Sequence, residues 1–197
     1  KLKFALSLSA LFFASSLFAA PQVGQAAPAF TLTDSKGQSH SLADFAGKTV
    51  VLEWTNHECP FVVKHYSGNM QSLQKQFSSD DVVWLTVISS APGKQGHITG
   101  AKADELTSSR NAMPDAVLFD ETGATGKAYD AKTTPHMYVI DKKGVLQYMG
   151  GIDSIPSAKV DDIAKATPYF SDALTAVLAG NPANPAVTKP YGCSIKY

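Results

Sequence analysis

The run KTVVLEW (Lys48–Trp54) is β-branched and almost continuously apolar, and a short loop after it brings a cysteine followed at once by proline (Cys59, Pro60). A strand of this composition is buried on both faces and belongs inside a sheet covered by helices. Proline suits the first turn of a helix, where an amide would have no partner. From Pro60 to Phe77 apolar residues recur at helical spacing, broken near Ser67–Asn69, where Asn69 can cap a second helical piece. The junction reads as a central strand feeding straight into a helix, with Cys59 at the helix start. That restricts the chain to a layered α/β architecture.

The remaining punctuation fits such a frame. Pro28–Asp34 and the following SHSL form a hairpin around Gly37, and Asp81–Ser89 is a second central strand. Ile98–Asn111 reads as a helix, Asp115–Asp120 as a third strand, and Gly123–Tyr129 as a short helix. HMYVID and VLQYMGGID form a hairpin with Gly144 in its turn, and Ala166–Ala179 is a closing helix. The expected fold class is therefore α/β: a central mixed β-sheet flanked by helices, with an N-terminal β-hairpin extension. Sites in such sheets lie at the C-terminal ends of the strands, which is where Cys59 stands.

Composition removes several function classes. At 197 residues the chain makes one full-sized domain, and 44% apolar content rules out disorder over most of it. The formal net charge is zero and Arg110 is the sole arginine, so no electrostatic footprint for nucleic acid exists. Two cysteines cannot make a disulfide-dense scaffold or a four-cysteine zinc site. SAPGKQG lacks the spacing of a phosphate loop, and no G-x-S-x-G elbow is present. No cofactor and no resident metal are expected.

Residues 1–19 read as a secretory signal peptide: Lys1 and Lys3, the uncharged stretch Phe4–Ala19, and small residues at Ala19 and Ala20. Pro21 favours cleavage after Ala19; the alternative is an uncleaved N-terminal anchor. Residues 20–180 form the domain, and 181–197 an extended tail carrying Cys193. The expectation is export to the periplasm or cell envelope, with no stable membrane insertion after cleavage.

A thiolate at a helix N-terminus is stabilised by free amides and the helix dipole. Lys64 and His57 can add positive charge near Cys59, whereas Glu58 opposes it. The other reading of Cys59 is a structural disulfide partner or an inert core thiol. Cys193 is the natural second member of a redox pair, with a permanent structural bridge as the alternative. The tail from Asn181 to Gly192 is too rich in proline for a helix and, extended, spans roughly 36 Å. That reach predicts that Cys193 returns across the sheet's C-terminal edge to Cys59, with Ile195 and Tyr197 docking beside the site. A bridgeable pair needs Cα atoms within about 7 Å.

VGQAAPAFTLTDSKGQSHSLADFAGKTVVLEWTNHECPF, with its Ala27-Pro28, Phe30, Gly37, Leu42 and Gly47-Lys48, resembles the opening of the peroxiredoxin-like branch of the thioredoxin superfamily. This is the alkyl hydroperoxide reductase and thiol-specific antioxidant type of redoxin. SGNMQ and the closing PYGCSIKY are similar to an exported subgroup ending in GCSIKY. The resemblance implies a thioredoxin-like fold, in which TTPHMYVID supplies a cis-proline loop. Pro135 and Thr134 would face the reactive sulfur there and align an extended substrate. The chain departs from its relatives in two places. Val62 occupies the second cysteine position of a thioredoxin C-x-x-C, and Asn56 occupies the threonine position of the peroxidatic motif. Arg110 is expected on a surface helix, away from the place of the peroxidatic arginine.

Three functions follow. The first is an exported thiol–disulfide oxidoreductase with Cys59 attacking, Cys193 resolving, Thr134 and Pro135 aligning substrate, and Trp54, Asn56, His57, Pro60 and Lys64 in support. The second is an antioxidant thiol peroxidase, in which a sulfenic acid on Cys59 is resolved by Cys193 and Asn56 donates a hydrogen bond to the peroxide. The third is a metal-binding module using Cys59, Cys193 and His57 or His136. The partners expected are a protein or small-molecule thiol or disulfide, with peroxide in the second case, and no nucleic acid.

Overall fold

The computed structural model describes residues 20–197, so the signal peptide expected over 1–19 lies outside the described residues. The order of elements is β1 (Thr31–Asp34), β2 (Ser39–Ser41), β3 (Thr49–Trp54), α1 (Pro60–His65), α2 (Asn69–Phe77), β4 (Val82–Ile88), α3 (Gly100–Ser109), β5 (Ala116–Phe119), α4 (Ala124–Ala128), β6 (Thr133–Thr134), β7 (His136–Ile140), β8 (Leu146–Gly150), α5 (Tyr169–Leu178) and β9 (Cys193–Ser194). Short 3-10 turns cover Leu42–Phe45 and Val160–Lys165.

The apolar runs become the centre of a seven-stranded mixed sheet ordered β2-β1-β5-β4-β3-β7-β8. β3 lies parallel to β4 and antiparallel to β7, with Val51 opposite Trp84 and Trp54 opposite His136. All six residues of β3 are buried, as a strand covered on both faces requires. On one face Val51, Trp84, Met137, Val139 and Tyr148 pack against Met70, Leu73 and Phe77 of α2 and Phe170 and Leu174 of α5. On the other, Val50, Leu52, Trp54, Leu85, Leu118, Tyr138 and Ile140 pack around Tyr129. The thioredoxin-like α/β fold expected from the sequence is the fold observed.

Local chemistry shifts several boundaries. α3 starts at Gly100 rather than Ile98 because the Thr99 hydroxyl accepts from the Lys102 amide at 3.3 Å and caps the helix there. α5 starts after Pro168 rather than at Ala166, since a residue before proline is pushed out of helical conformation. Asn69 is the first residue of α2, not its cap; Gly68 holds the cap position, and the Asn69 amide instead bonds His65 Nδ1 at 2.8 Å.

The tail follows a defined path over the C-terminal ends of the central strands. It first runs beside β8, where the Thr188 amide donates to the Met149 carbonyl at 3.2 Å. It then crosses to β6, pairing antiparallel with Thr133 opposite Ser194 and Thr134 opposite Cys193. Beyond that, the Ala91 amide, just past β4, donates to the Lys196 carbonyl at 2.8 Å. The Tyr197 hydroxyl donates to the Ala131 carbonyl at 2.8 Å, and its ring fills space that a Cβ at Gly123 or Gly126 would occupy.

Candidate active site

Cys59 is the residue that caps α1, with extended backbone (φ −74°, ψ 123°) and Pro60 first in the helix. Its amide donates to the Asn56 carbonyl at 3.0 Å, and its carbonyl accepts the Val63 amide at 2.9 Å. The loop before it is held by its own polar side chains. Asn56 Oδ1 accepts from the Glu58 amide at 3.0 Å, and a Glu58 carboxylate oxygen accepts from the Gly96 amide at 2.9 Å. These contacts fix the sulfur against the opposite wall of the site.

That wall is the β6–β7 junction, where the Thr134–Pro135 peptide bond is cis. The Cys59 thiol donates to the Thr134 carbonyl at 3.1 Å. Cys193 lies opposite Thr134 in the β6–β9 pair, and both cysteines are free thiols. Cys59 is wholly buried and Cys193 half-buried.

Burial works against the Cys59 thiolate. The potential donors around it, namely the Cys193 thiol, the amides of Val62 and Cys193 and the Thr134 hydroxyl, outweigh it, so the pKa lies below that of an ordinary thiol. Thr134 Oγ1 is buried without a hydrogen-bond partner while the thiol is protonated. Cys193 shifts the opposite way: burial raises its pKa, and the neighbouring Cys59 sulfur raises it further. The two shifts run in opposite directions, down at Cys59 and up at Cys193.

The expected supporting residues divide. Pro60 stands where the sequence placed it. Trp54 does not line the site: it is buried between Tyr129 and Tyr138, and its indole N–H donates to Ser89 Oγ at 2.9 Å. Asn56 has both ends of its amide engaged in the loop, with Nδ2 donating to the Gln95 carbonyl at 3.4 Å. Lys64 is turned away to Asp153 and Tyr191, so it adds no charge beside Cys59. His57 has its pKa lowered from the usual histidine range, chiefly by burial. Arg110 is closer than expected: at the end of α3, its guanidinium donates to the His57 carbonyl at 3.2 Å and lies over the Tyr66 ring.

Glu53 is a residue the sequence reading missed. It is fully buried on β3 and accepts from the Tyr66 hydroxyl at 2.8 Å, the Trp84 indole at 2.9 Å and the Thr86 hydroxyl at 3.4 Å. Desolvation nevertheless pushes its pKa up to about 7. The signal was a lone carboxylate inside an otherwise apolar strand. Behind the loop, a cavity of about 40 Å³ is bordered by Thr55, His57, Tyr66, Thr86 and Arg110. Thr55 Oγ1 and His57 Nδ1 there are buried without partners.

Among the described residues, no group of three or more His, Cys, Asp or Glu is arranged to hold a metal ion. His136 Nδ1 is engaged by the Tyr138 hydroxyl at 3.1 Å and the Lys132 amide at 3.3 Å.

Comparison with known proteins bears on the family and the fold. The AhpC/TSA family model matches residues 23–149. Peroxiredoxin Q, chloroplastic, of Populus jackii is 29% identical over 153 residues, covering 77% of this chain and 70% of the relative. The thiol-disulfide oxidoreductase ResA of Geobacillus kaustophilus is 28% identical over 122 residues, 62% of this chain and 65% of the relative. A crystal structure of a conserved protein from Geobacillus kaustophilus superposes with a TM-score of 0.73 at 26% identity, covering 89% of this chain and 92% of that one. The chain belongs to the AhpC/TSA family and is a redoxin, an oxidoreductase of the thioredoxin superfamily.

Proposed function

We propose that this protein is an exported thiol–disulfide oxidoreductase, with a leader over 1–19, a catalytic domain over 20–180 and a tail over 181–197 that supplies the second thiol. Export rests on the basic and apolar pattern of the leader. The observation that carries the redox reading is the placement of two free thiols at one junction: Cys59 caps α1 with its sulfur on the Thr134 carbonyl, and Cys193 is paired opposite that same Thr134.

In the proposed reaction the Cys59 thiolate attacks one sulfur of a substrate disulfide. A mixed disulfide forms on Cys59, and the first substrate thiolate leaves. Cys193 gives up its proton and attacks the Cys59 sulfur, releasing the second substrate thiolate. The substrate has gained two electrons, and the protein holds a Cys59–Cys193 disulfide. An external dithiol returns it to the reduced form. Once Cys59 has been consumed in the mixed disulfide, its negative charge no longer opposes ionisation of Cys193, which favours the second step.

Turnover of a small disulfide by purified protein tests this. Cys59→Ser is expected to abolish turnover, and Cys193→Ser to stall as a mixed disulfide on Cys59 detectable by mass. Unchanged turnover in Cys59→Ser rules the assignment out.

A second reading, thiol peroxidase, draws support from one feature: Cys59 is sealed beneath the tail, which suits a small oxidant. Here the thiolate attacks a peroxide oxygen and releases water or an alcohol. The resulting sulfenic acid condenses with Cys193 to give the disulfide and water. Stopped-flow mixing with hydrogen peroxide separates the two. A rate no faster than that of free cysteine thiolate excludes the peroxidase.

A further inference from the structure

The helix that carries Cys59 also grips the chain that carries Cys193. Phe61, Lys64 and His65 share one face of α1, and Tyr191, two residues before Cys193, sits on it. The Tyr191 ring meets Phe61 edge-on at 5.7 Å between centroids, and Lys64 Nζ lies 5.4 Å from its centre. The Tyr191 hydroxyl donates to Asp153 Oδ1 at 2.5 Å. It accepts from Lys64 Nζ at 3.3 Å, and His65 Nε2 lies 3.0 Å away. Because the Asn69 amide donates to His65 Nδ1, the ring proton is on Nε2 and points at Tyr191. Lys64 is buried, with its ammonium 3.5 Å from Asp153 Oδ2 and 3.4 Å from the Ile155 carbonyl it donates to.

A buried ion pair of this kind contributes little net stability, and its best-attested use is to fix register. Here it forms the floor under a tyrosine hydroxyl with every polar valence satisfied. Next along the chain, Gly192 (φ +137°) passes so close to the Thr134 carbonyl that a Cβ would collide with it. The segment is thus pinned on both sides of Gly192, first by Tyr191 and then by the β6–β9 pair.

We infer that the Phe61–Lys64–His65–Asp153 pocket is a receptor for Tyr191 that positions the redox pair. It holds Cys193 on the Thr134 edge, raises the effective concentration of its thiol toward Cys59, and keeps that edge closed to the extended chain of another protein. Tyr191 is a positioning residue, touching neither sulfur. The inference rests on the oxidoreductase reading. It adds that the backbone edge suited to an external substrate strand is filled by the protein's own Cys193–Ser194, so the substrate class favoured while the clasp is closed is a small disulfide.

The test equilibrates the full chain with mixtures of reduced and oxidised glutathione, followed by acid quenching and peptide mapping. Wild type is compared with Tyr191→Phe, Tyr191→Ala and Val117→Ala, the last a core truncation under α3 remote from the tail. Tyr191→Ala is expected to lower the equilibrium constant for the Cys59–Cys193 bridge on the order of ten-fold, and Tyr191→Phe by less. Val117→Ala should lower the melting temperature and leave the constant in place, which separates positioning from general destabilisation. Reduced Tyr191→Ala should also couple faster than wild type to an activated disulfide of an extended cysteine peptide. Equal bridge constants in wild type and both Tyr191 variants overturn the positioning role. Equal peptide coupling rates overturn the closed edge. A wild type that forms no bridge in any mixture overturns the oxidoreductase reading, and the inference with it.

Discussion

Glu53 and Cys59 are both acids sealed from water near the end of β3, and burial pushes each toward its neutral form. Their outcomes have opposite signs. Glu53 accepts from three side chains and still rises to about 7. Cys59 faces donors from two side chains and two backbone amides, and falls below an ordinary thiol. A carboxylate concentrates its charge on small, strongly hydrated oxygens and loses much on leaving water, whereas a thiolate's charge is diffuse. A comparable set of donors therefore suffices for sulfur and falls short for the carboxylate. At Cys59 the surrounding donors outweigh burial, and at Glu53 burial outweighs the donors.

The largest expected effect comes from altering Glu53. Its pKa of about 7 in the folded protein stands above the ordinary carboxyl value of 4.5. A raised carboxyl contributes stability that is full below pH 4.5 and is lost as pH rises through 7. That difference is on the order of 3 kcal/mol. Denaturant unfolding from pH 4.5 to 8.5 should show this fall in wild type, and Glu53→Gln should remove that component. Parallel curves for the two proteins would show that Glu53 is not held protonated.

On the Cys59 side, Cys193→Ala removes the thiol that faces the sulfur, and the Cys59 pKa should rise. One hydrogen bond to a charged acceptor is worth about 1.5–3 kcal/mol, so the acid dissociation constant of Cys59 should fall by roughly ten-fold or more. Thiolate absorbance near 240 nm against pH reports it directly. No upward movement would break the contrast with Glu53, because the donors would then not be what lowers Cys59. Thr134→Val should shift the titration in the same direction by less. It deletes one hydroxyl donor and leaves the carbonyl that the neutral thiol uses.

How much of this was legible in the sequence follows from the range of each interaction. The strand–loop–helix junction at Cys59 is a local pattern, and β3, Pro60 and α1 stand where apolar runs and proline placed them. The return of the tail was legible from its prolines and its reach. Other features depend on contacts across the fold. Two-residue strands such as β6 and β9 have no periodicity to read, so only the three-dimensional path reveals Thr134 opposite Cys193. Trp54, expected at the site, is core because side chains alternate along β3 and its turn falls on the Tyr129 face. Arg110 reaches the Cys59 loop only because α3 packs back over the sheet. Lys64 was near Cys59 in sequence, yet the i+3 and i+4 geometry of α1 directs it to Tyr191.

On the proposed function, Cys59 and Cys193 act as one redox pair within a single chain. The most direct measurement of this is peptide mapping after fully reduced protein meets one equivalent of a small disulfide under non-denaturing conditions. The expected product is a monomer in which Cys59 and Cys193 are joined, formed without unfolding. Recovery of Cys193 as a free thiol beside a persistent mixed disulfide on Cys59, or of chains cross-linked to one another, would contradict it.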